Sequence, residues 1–262
     1  MAALPTMLNP LTTSFISRLR AQDQAAWFEL WETFGPVLRI QLTKWGRGRI
    51  GAQTVQDLSQ ETLAALSNCI DRYDPAKGAR FSTWLLAIAK HVLGDEMDRR
   101  NAQKRGGGQR SGEFDETWMV ASGTARPDQE YEAAVFRAKV EAAIRLTERD
   151  SDFTDFAVFR MRILDGKPGK DVGEALGMSE PTVSRRLAKV RQALGARLCE
   201  VISTYSFTGE EAQEGSRNGL ALNPNKMDEA MFDEAIADIY HRSQELRRSE
   251  QPHSPPTGGS QA

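Results

Sequence analysis

The stretch from Asp165 to Leu194, DGKPGKDVGEALGMSEPTVSRRLAKVRQAL, decides the fold of this chain. The run GKPG at 166–169 interrupts any helix that precedes it. Val172 and Leu176 then lie one helical turn apart. Gly177 follows at once, at a position where a chain leaving a helix often needs a positive φ. Ser179 is then placed to cap a further helix, whose first turn tolerates an acid and a proline. The stretch therefore predicts two short helices joined by a tight turn.

The second of these predicted helices has two unlike faces. Its apolar positions are spaced four, three and four residues apart, so they form one stripe: Val183, Leu187, Val190 and Leu194. Its hydroxyl and cationic residues lie off that stripe: Thr182, Arg185, Arg186 and Lys189. A helix of this kind suits the major groove of DNA. An ordinary helical hairpin with a solvated basic face is the alternative, but the turn glycine, small Gly173 and the apolar positions together favour a helix-turn-helix.

The composition is that of a soluble globular protein. Of 262 residues, 40% are hydrophobic and 27% are charged, enough for one to three small domains. No apolar run approaches the ~20 residues that span a bilayer, and residues 1–15 lack the pattern of a secretory signal. Cys69 and Cys199 are single and distant, and the three histidines are scattered. We therefore expect a cytoplasmic protein that is not an enzyme and has no metal and no cofactor.

Charge is distributed unevenly along the chain. The net charge is −2, yet the segment 200–262 alone holds eleven acidic and five basic residues. The remaining residues, 1–199, therefore carry a net charge of +4. This division predicts a mildly basic body with an acidic C-terminal extension.

Apolar residues recur at helical spacing through the N-terminal part, which we interpret as one domain over 10–100. Its helices are expected at 10–44, 55–73 and 81–97, with Gly35-Pro36 kinking or ending the first. Segments 46–51 and 74–80 are expected to be loops. The stretch 99–110, RRNAQKRGGGQR, holds five cations, three glycines and no acid, and residues 101–126 are expected to form a linker.

Helical spacing resumes after this linker. The sequence predicts a second domain over 127–198, with helices from Pro127, at 153–164 and in the helix-turn-helix. The extension, 199–262, carries one more amphipathic pattern, which predicts a helix at 227–248. We find no internal repeat and no convincing strand alternation. The expected fold class is all-α: two small helical domains on a flexible linker, plus a C-terminal helical extension.

Two blocks of the chain resemble bacterial RNA polymerase sigma factors of the extracytoplasmic-function type, in the sigma-70 superfamily. The block 57–100, DLSQETLAALSNCIDRYDPAKGARFSTWLLAIAKHVLGDEMDRR, is similar to the second sigma domain, with its DLxQE helix and its FxxWLxxIA helix. The block 156–194 is similar to the fourth sigma domain. Helix-turn-helix units are common, but both blocks in this order, across a linker, are specific. The resemblance covers roughly 15–198.

The resemblance implies a set of contacts with RNA polymerase core. The residues that match the helix docking on the β′ clamp are Asp57, Leu58, Gln60 and Glu61. The fourth domain would meet the β flap. An anti-sigma factor is a further partner that the resemblance allows. A capping, solvated first turn is the structural alternative for Asp57, although it does not explain the whole motif.

The resemblance also implies contacts with promoter DNA. The loop 74–83 matches one that captures a flipped base of the −10 element, and its cations and glycine suit phosphate and close backbone approach. A plain helix–helix connection is the alternative for each residue there. The implied −10 and promoter contacts are Lys77, Arg80, Ser82, Thr83, Lys90, Arg99 and Arg100. The implied −35 contacts are Ser179, Thr182, Arg185, Arg186 and Lys189.

Some positions depart from the family pattern. Asp98 stands where a basic residue is usual, and Pro181 and Gly173 replace the common glycine and alanine. The family usually ends near Leu198, so the sixty or so residues after it are additional to the family pattern. The resemblance predicts a promoter-recognition subunit. A stand-alone helix-turn-helix regulator with an N-terminal sensing or dimerisation domain is the alternative, but it gives no reason for the 57–100 block.

Overall fold

The structure is a computed structural model that describes residues 9–74, 80–104, 129–220 and 229–250. Every regular element in these ranges is helical, which confirms the all-α fold class for the described residues. The α-helices are α1 Pro10–Arg20, α2 Gln24–Gly46, α3 Ala52–Cys69, α4 Phe81–Lys104, α5 Gln129–Asp150, α6 Phe153–Phe159, α7 Gly169–Leu176, α8 Glu180–Thr204, α9 Gly209–Ala212, α10 Glu214–Arg217 and α11 Glu229–Glu250. A 3₁₀ turn, Ile70–Arg72, follows α3, and a π turn, Arg160–Leu164, follows α6.

Helix α2 runs through Pro36, where the sequence predicted a kink or an end. Proline removes one backbone donor from the helix interior. Packing offsets this cost, because the side chains of Leu30, Phe34, Leu38 and Leu42 recur every four residues and are all at most 1% exposed. The helix begins at the Asp23 carboxylate, which accepts from two backbone amides, and ends where Arg47 takes a positive φ.

The helix-turn-helix is formed by α7, a turn at 177–179 and α8. Gly177 has φ +65°, as the sequence predicted for a residue that leaves a helix. A Cβ at Gly173 would lie 2.7 Å from the Met178 carbonyl oxygen, so the turn packs against α7 more closely than alanine allows. Ser179 precedes α8, but its hydroxyl meets the Thr182 hydroxyl at 3.0 Å instead of capping a backbone amide. Helix α8 extends ten residues past the predicted stretch, to Thr204.

The two predicted domains share one continuous hydrophobic core. Helix α2 packs on α5, and α1 packs on α8. Tyr205, the first residue after α8, meets the Phe34 ring of α2 edge-on at 5.3 Å between centroids. The hydroxyl of Tyr131 donates to the Ser82 carbonyl at 2.9 Å. The first and second helical units are therefore in direct contact over a broad, largely apolar surface.

The C-terminal extension folds back onto both units. Its first part, 205–217, leaves α8 through a capping box in which the Thr208 hydroxyl and the Glu211 carboxylate each accept from the other's backbone amide. Its last helix, α11, is the helical element expected in the extension, and it packs on α5 and the π turn. The buried apolar side chains of α11 are Phe232, Ile236 and Ile239. Arg191 of α8 fixes it through ion pairs to Glu229, at 2.9 Å, and to Asp233.

Candidate nucleic-acid and polymerase interfaces

The second and third turns of α3 present a polar face to solvent. Asp57, Gln60 and Glu61 are exposed, and the Asp57 carboxylate accepts from the Gln53 amide at 2.9 Å. Leu58, which the sequence grouped with them, is only 2% exposed and packs in the core. Leu58 thus holds the helix in place, and the other three side chains are the ones a partner can reach.

The N-terminus of α4 brings together three of the residues implied to contact the −10 element. Arg80 is the residue just before the helix, and Ser82 and Thr83 lie in its first turn. Lys77 lies outside the described residues. The Arg80 side chain is only 21% exposed, because carboxylates from α5 and the extension surround it. These are Glu132, Glu210 at 2.9 Å and Glu214 at 3.3 Å.

Ser82 is covered by the second helical unit. It is 1% exposed, and its backbone carbonyl accepts from the Tyr131 hydroxyl. Its own hydroxyl has no hydrogen-bond partner among the described residues. A buried hydroxyl left unpaired costs about 1–3 kcal/mol. Ser82 can therefore reach DNA only when the contact between the two helical units opens.

A largely buried network of charges joins the start of α4, α5 and the extension, and we call it the charge cluster. It consists of Arg80, Glu132, Lys139, Glu210, Glu211 and Glu214. Lys139 is fully buried and its ammonium lies 3.0 Å from Glu214 and 3.9 Å from Glu211. Burial raises the pKa of Glu211 and of Glu132, and the neighbouring cations offset this only in part. Four acids thus share two cations, and all of these side chains except Glu210 are shielded from most of the solvent.

The middle and the C-terminal end of α4 hold the remaining implied promoter contacts. Lys90 is exposed. Arg99 and Arg100 both reach back to the Glu96 carboxylate, at 2.5 Å each, and Arg100 also donates to the Arg49 carbonyl at 3.0 Å. Burial alone would raise the pKa of Glu96, but the two guanidinium groups hold it below its ordinary value. Arg100 therefore ties α4 to the loop before α3, while Arg99 stays largely exposed.

The recognition face of α8 is open at its N-terminal end. Ser179 and Arg185 are exposed, and Thr182 is half-buried between them. Arg186 and Lys189 bind Asp155 of α6, with the Lys189 ammonium 2.6 Å from the carboxylate. The hydrogen bond from Lys189 and the charge of Arg186 hold the pKa of Asp155 below its ordinary value. Asp155 thus pairs with two cations, Arg186 and Lys189, that the resemblance implied as DNA contacts.

Sequence reasoning missed the acids that hold these cations. Asp155 stands in the first turn of α6 and gave no separate signal, because an acid there is common in any helix. Glu132, Glu210 and Glu214 belong to segments whose acidity was visible, but only the folded chain places them on Arg80. The pairing joins residues 52 to 134 positions apart, which no local pattern can indicate.

Other kinds of site find little support in the described ranges. No group of three or more potential metal ligands occurs among the residues that the structure describes. None of the helices described is both long and apolar enough to cross a membrane. The thiols of Cys69 and Cys199 are free, and burial raises the pKa of Cys69 to about 11, which leaves it a poor nucleophile.

Residues 38–103 match the family model for sigma-70 region 2. The match spans the C-terminal part of α2, all of α3, the 3₁₀ turn and nearly all of α4. The chain therefore carries a sigma-70 region 2, and the resemblance to the sigma-70 superfamily is confirmed on these residues. Region 2 belongs to transcription-initiation factors that bind RNA polymerase and promoter DNA, not to a family of catalysts. Comparison of the chain with curated proteins gave no match.

Proposed function

We propose that this protein is a sigma factor of the extracytoplasmic-function type, which binds core RNA polymerase and directs promoter recognition and transcription initiation. The match of 38–103 to sigma-70 region 2 is the observation that carries the proposal. The open helix-turn-helix after it supports the proposal, since a second DNA-reading unit at that position suits the −35 element. The protein works on DNA in the cytoplasm, makes no covalent bond itself and needs no cofactor.

Binding to core polymerase is assigned to α3. Asp57, Gln60 and Glu61 form an exposed polar face on a helix whose other side is fixed in the core by Leu58. A rigid helix that offers two carboxylates and an amide suits a basic groove on a coiled coil, and the β′ clamp is the proposed partner. The helix-turn-helix unit would contact the β flap.

Promoter binding is divided between two helices. The N-terminus of α4, with Arg80, Ser82 and Thr83, is the proposed −10 site, and Lys90, Arg99 and Arg100 continue it along the helix. On α8, Arg185 is the exposed cation best placed to reach a guanine edge or a phosphate. Ser179, Thr182, Arg186 and Lys189 complete the proposed −35 site. The proposed domains remain 10–100, 127–198 and the extension 199–262, with 101–126 as linker.

The test combines core binding with transcription. The purified full-length chain is mixed with bacterial core polymerase and separated by gel filtration, and the complex is then assayed on sheared genomic DNA. We expect co-elution with core and discrete transcripts that core alone does not make. A stand-alone regulator would instead bind DNA without core and would not co-elute, and that result would refute the proposal.

A further inference from the structure

We propose that the segment 207–217 of the extension is a built-in substitute for single-stranded DNA. It occupies the proposed −10 site, with Phe207 in the place of a base and with carboxylates in the place of phosphates. The inference rests on the proposed function, because it assigns the N-terminus of α4 to single-stranded DNA. It goes further in stating that the chain blocks this site with its own residues and must release them to bind promoter.

An aromatic ring of the extension is stacked on the proposed site. The Phe207 and Phe81 rings lie 5.1 Å apart between centroids, with 23° between their planes. Tyr73, on the other side of the 74–80 loop, meets Phe207 edge-on at 5.7 Å. Stacking of a flat ring on an aromatic side chain is how single-stranded nucleic acid binds without regard to sequence. Phe207 thus covers an aromatic platform that flanks the loop.

Two carboxylates of the same segment form ion pairs with Arg80, the cation of the proposed −10 site. Glu210 and Glu214 lie 2.9 and 3.3 Å from the Arg80 guanidinium. A guanidinium binds carboxylate and phosphate with the same fork of donors. The Glu210 side chain is 72% exposed, so it contributes little to the core, and its carboxylate reaches Arg80 from the solvent side. Ring and charges together reproduce the features of a nucleotide that such a site would bind.

The contact between the segment 207–217 and the N-terminus of α4 has features that favour its opening. The Ser82 hydroxyl and one Glu132 carboxylate oxygen are buried without a hydrogen-bond partner among the described residues. Lys139 and Glu211 are buried charges, and desolvation makes buried ion pairs weak contributors to net stability. The charge cluster also holds more acids than cations. Release of the segment would return Glu211 to water, which offsets part of the packing that is lost.

The blockage is confined to one of the two proposed DNA sites. On α8, Arg185 and Ser179 are exposed, and the acid that binds Arg186 and Lys189 comes from α6, not from the extension. Helix α11 pairs with Arg191, outside the proposed −35 set. The structure therefore predicts that duplex binding through α8 is independent of the extension, whereas single-strand binding at α4 is opposed by it.

The experiment compares two double variants of the full-length chain. Glu210→Gln/Glu214→Gln removes both carboxylates of the segment from Arg80. Glu234→Gln/Glu245→Gln makes the same change of net charge at exposed positions of α11 and serves as the control. The probes are a fluorescent single-stranded DNA 20-mer pool of random sequence and the duplex made from it, with binding measured by anisotropy.

We expect the first variant to bind the single-stranded pool about tenfold more tightly than the control variant, the effect of one charged hydrogen bond. Duplex binding should be equal in the two. Equal affinity of both variants for the single strand overturns the inference. Absence of single-strand binding in every variant overturns it too, and gel filtration with core polymerase then shows separately whether the proposed function stands.

Hydrogen exchange on the unmodified chain gives a second measurement. The Phe207 amide donates to the Glu211 carboxylate at 2.9 Å and is buried, so it should exchange slowly in the free protein. Saturating single-stranded DNA should expose the segment 206–217 and speed its exchange. Unchanged exchange in that segment, with DNA bound, would show that it is a fixed part of the core and would overturn the inference.

Discussion

Phe207 lies stacked on Phe81, the first residue of α4, with 5.1 Å between ring centroids. The two residues are 126 positions apart, and the second belongs to the sigma-70 region 2 match while the first belongs to the additional C-terminal segment. Phe207, which lies outside the family match, thus covers a residue that lies inside it. The same junction holds Arg80 among three carboxylates.

The first prediction concerns the recognition helix. Arg185 is exposed and Arg186 is tied to Asp155, so the two arginines should behave differently. Arg185→Ala should weaken duplex binding by about 1–3 kcal/mol without changing stability. Arg186→Ala should also lower the free energy of unfolding, because it leaves Asp155 with Lys189 alone. Anisotropy and urea titration measure the two effects, and equal stability losses in both variants would contradict this assignment.

A second prediction concerns docking on core polymerase. The double variant Asp57→Lys/Glu61→Lys reverses two exposed charges one turn apart and should weaken binding to core while leaving helix content unchanged. Leu58→Ala is the contrasting variant. It removes a side chain that is 2% exposed and should destabilise the protein by about 2–5 kcal/mol. Gel filtration with core, together with circular dichroism, separates the two effects, and wild-type core affinity in the charge variant would remove α3 from the proposed interface.

Much of the fold was predictable because its signals are local. The turn at Gly177 and the apolar stripe of α8 depend on residues within one or two helical turns, and the structure shows both. The passage of α2 through Pro36 was not predictable, because it depends on packing from α4, α5 and the extension. The same holds for Ser82. The resemblance implied that it contacts DNA, but in the folded chain Tyr131 of α5 covers it. Long-range pairing decides which of the predicted DNA contacts are accessible.

A third prediction tests the turn of the helix-turn-helix. Gly173→Ala would place a Cβ 2.7 Å from the Met178 carbonyl oxygen, so backbone must shift, and we expect a loss of about 1–3 kcal/mol of stability. Gly94→Ala is the matched control, because Gly94 is exposed within α4 and a Cβ added there would meet nothing within 4 Å. The control should gain about 0.5–1 kcal/mol from helix propensity. Thermal unfolding measures both, and a stabilised Gly173→Ala would show that the turn is looser than described.

The last prediction concerns pH and the charge cluster. Burial raises the pKa of Glu211 above its ordinary value of 4.5, with the charge of Lys139 opposing this shift. A carboxyl with a raised pKa in the closed form binds its proton more readily there than in the open form, where it meets water. Protonation of Glu211 therefore stabilises the closed form fully at pH values below 4.5. This stabilisation is lost as the pH rises through the raised pKa of the closed form. Glu132 shifts in the same direction, since burial outweighs the charge of Arg80.

Single-strand affinity of the native chain should accordingly rise with pH relative to that of Glu211→Gln. The amide oxygen of this variant can still accept from the Phe207 and Thr208 amides, as the carboxylate does, but it does not titrate. Anisotropy across the weakly acidic to neutral range measures the ratio of the two affinities. A ratio that does not change with pH would show that Glu211 does not govern the opening of this junction.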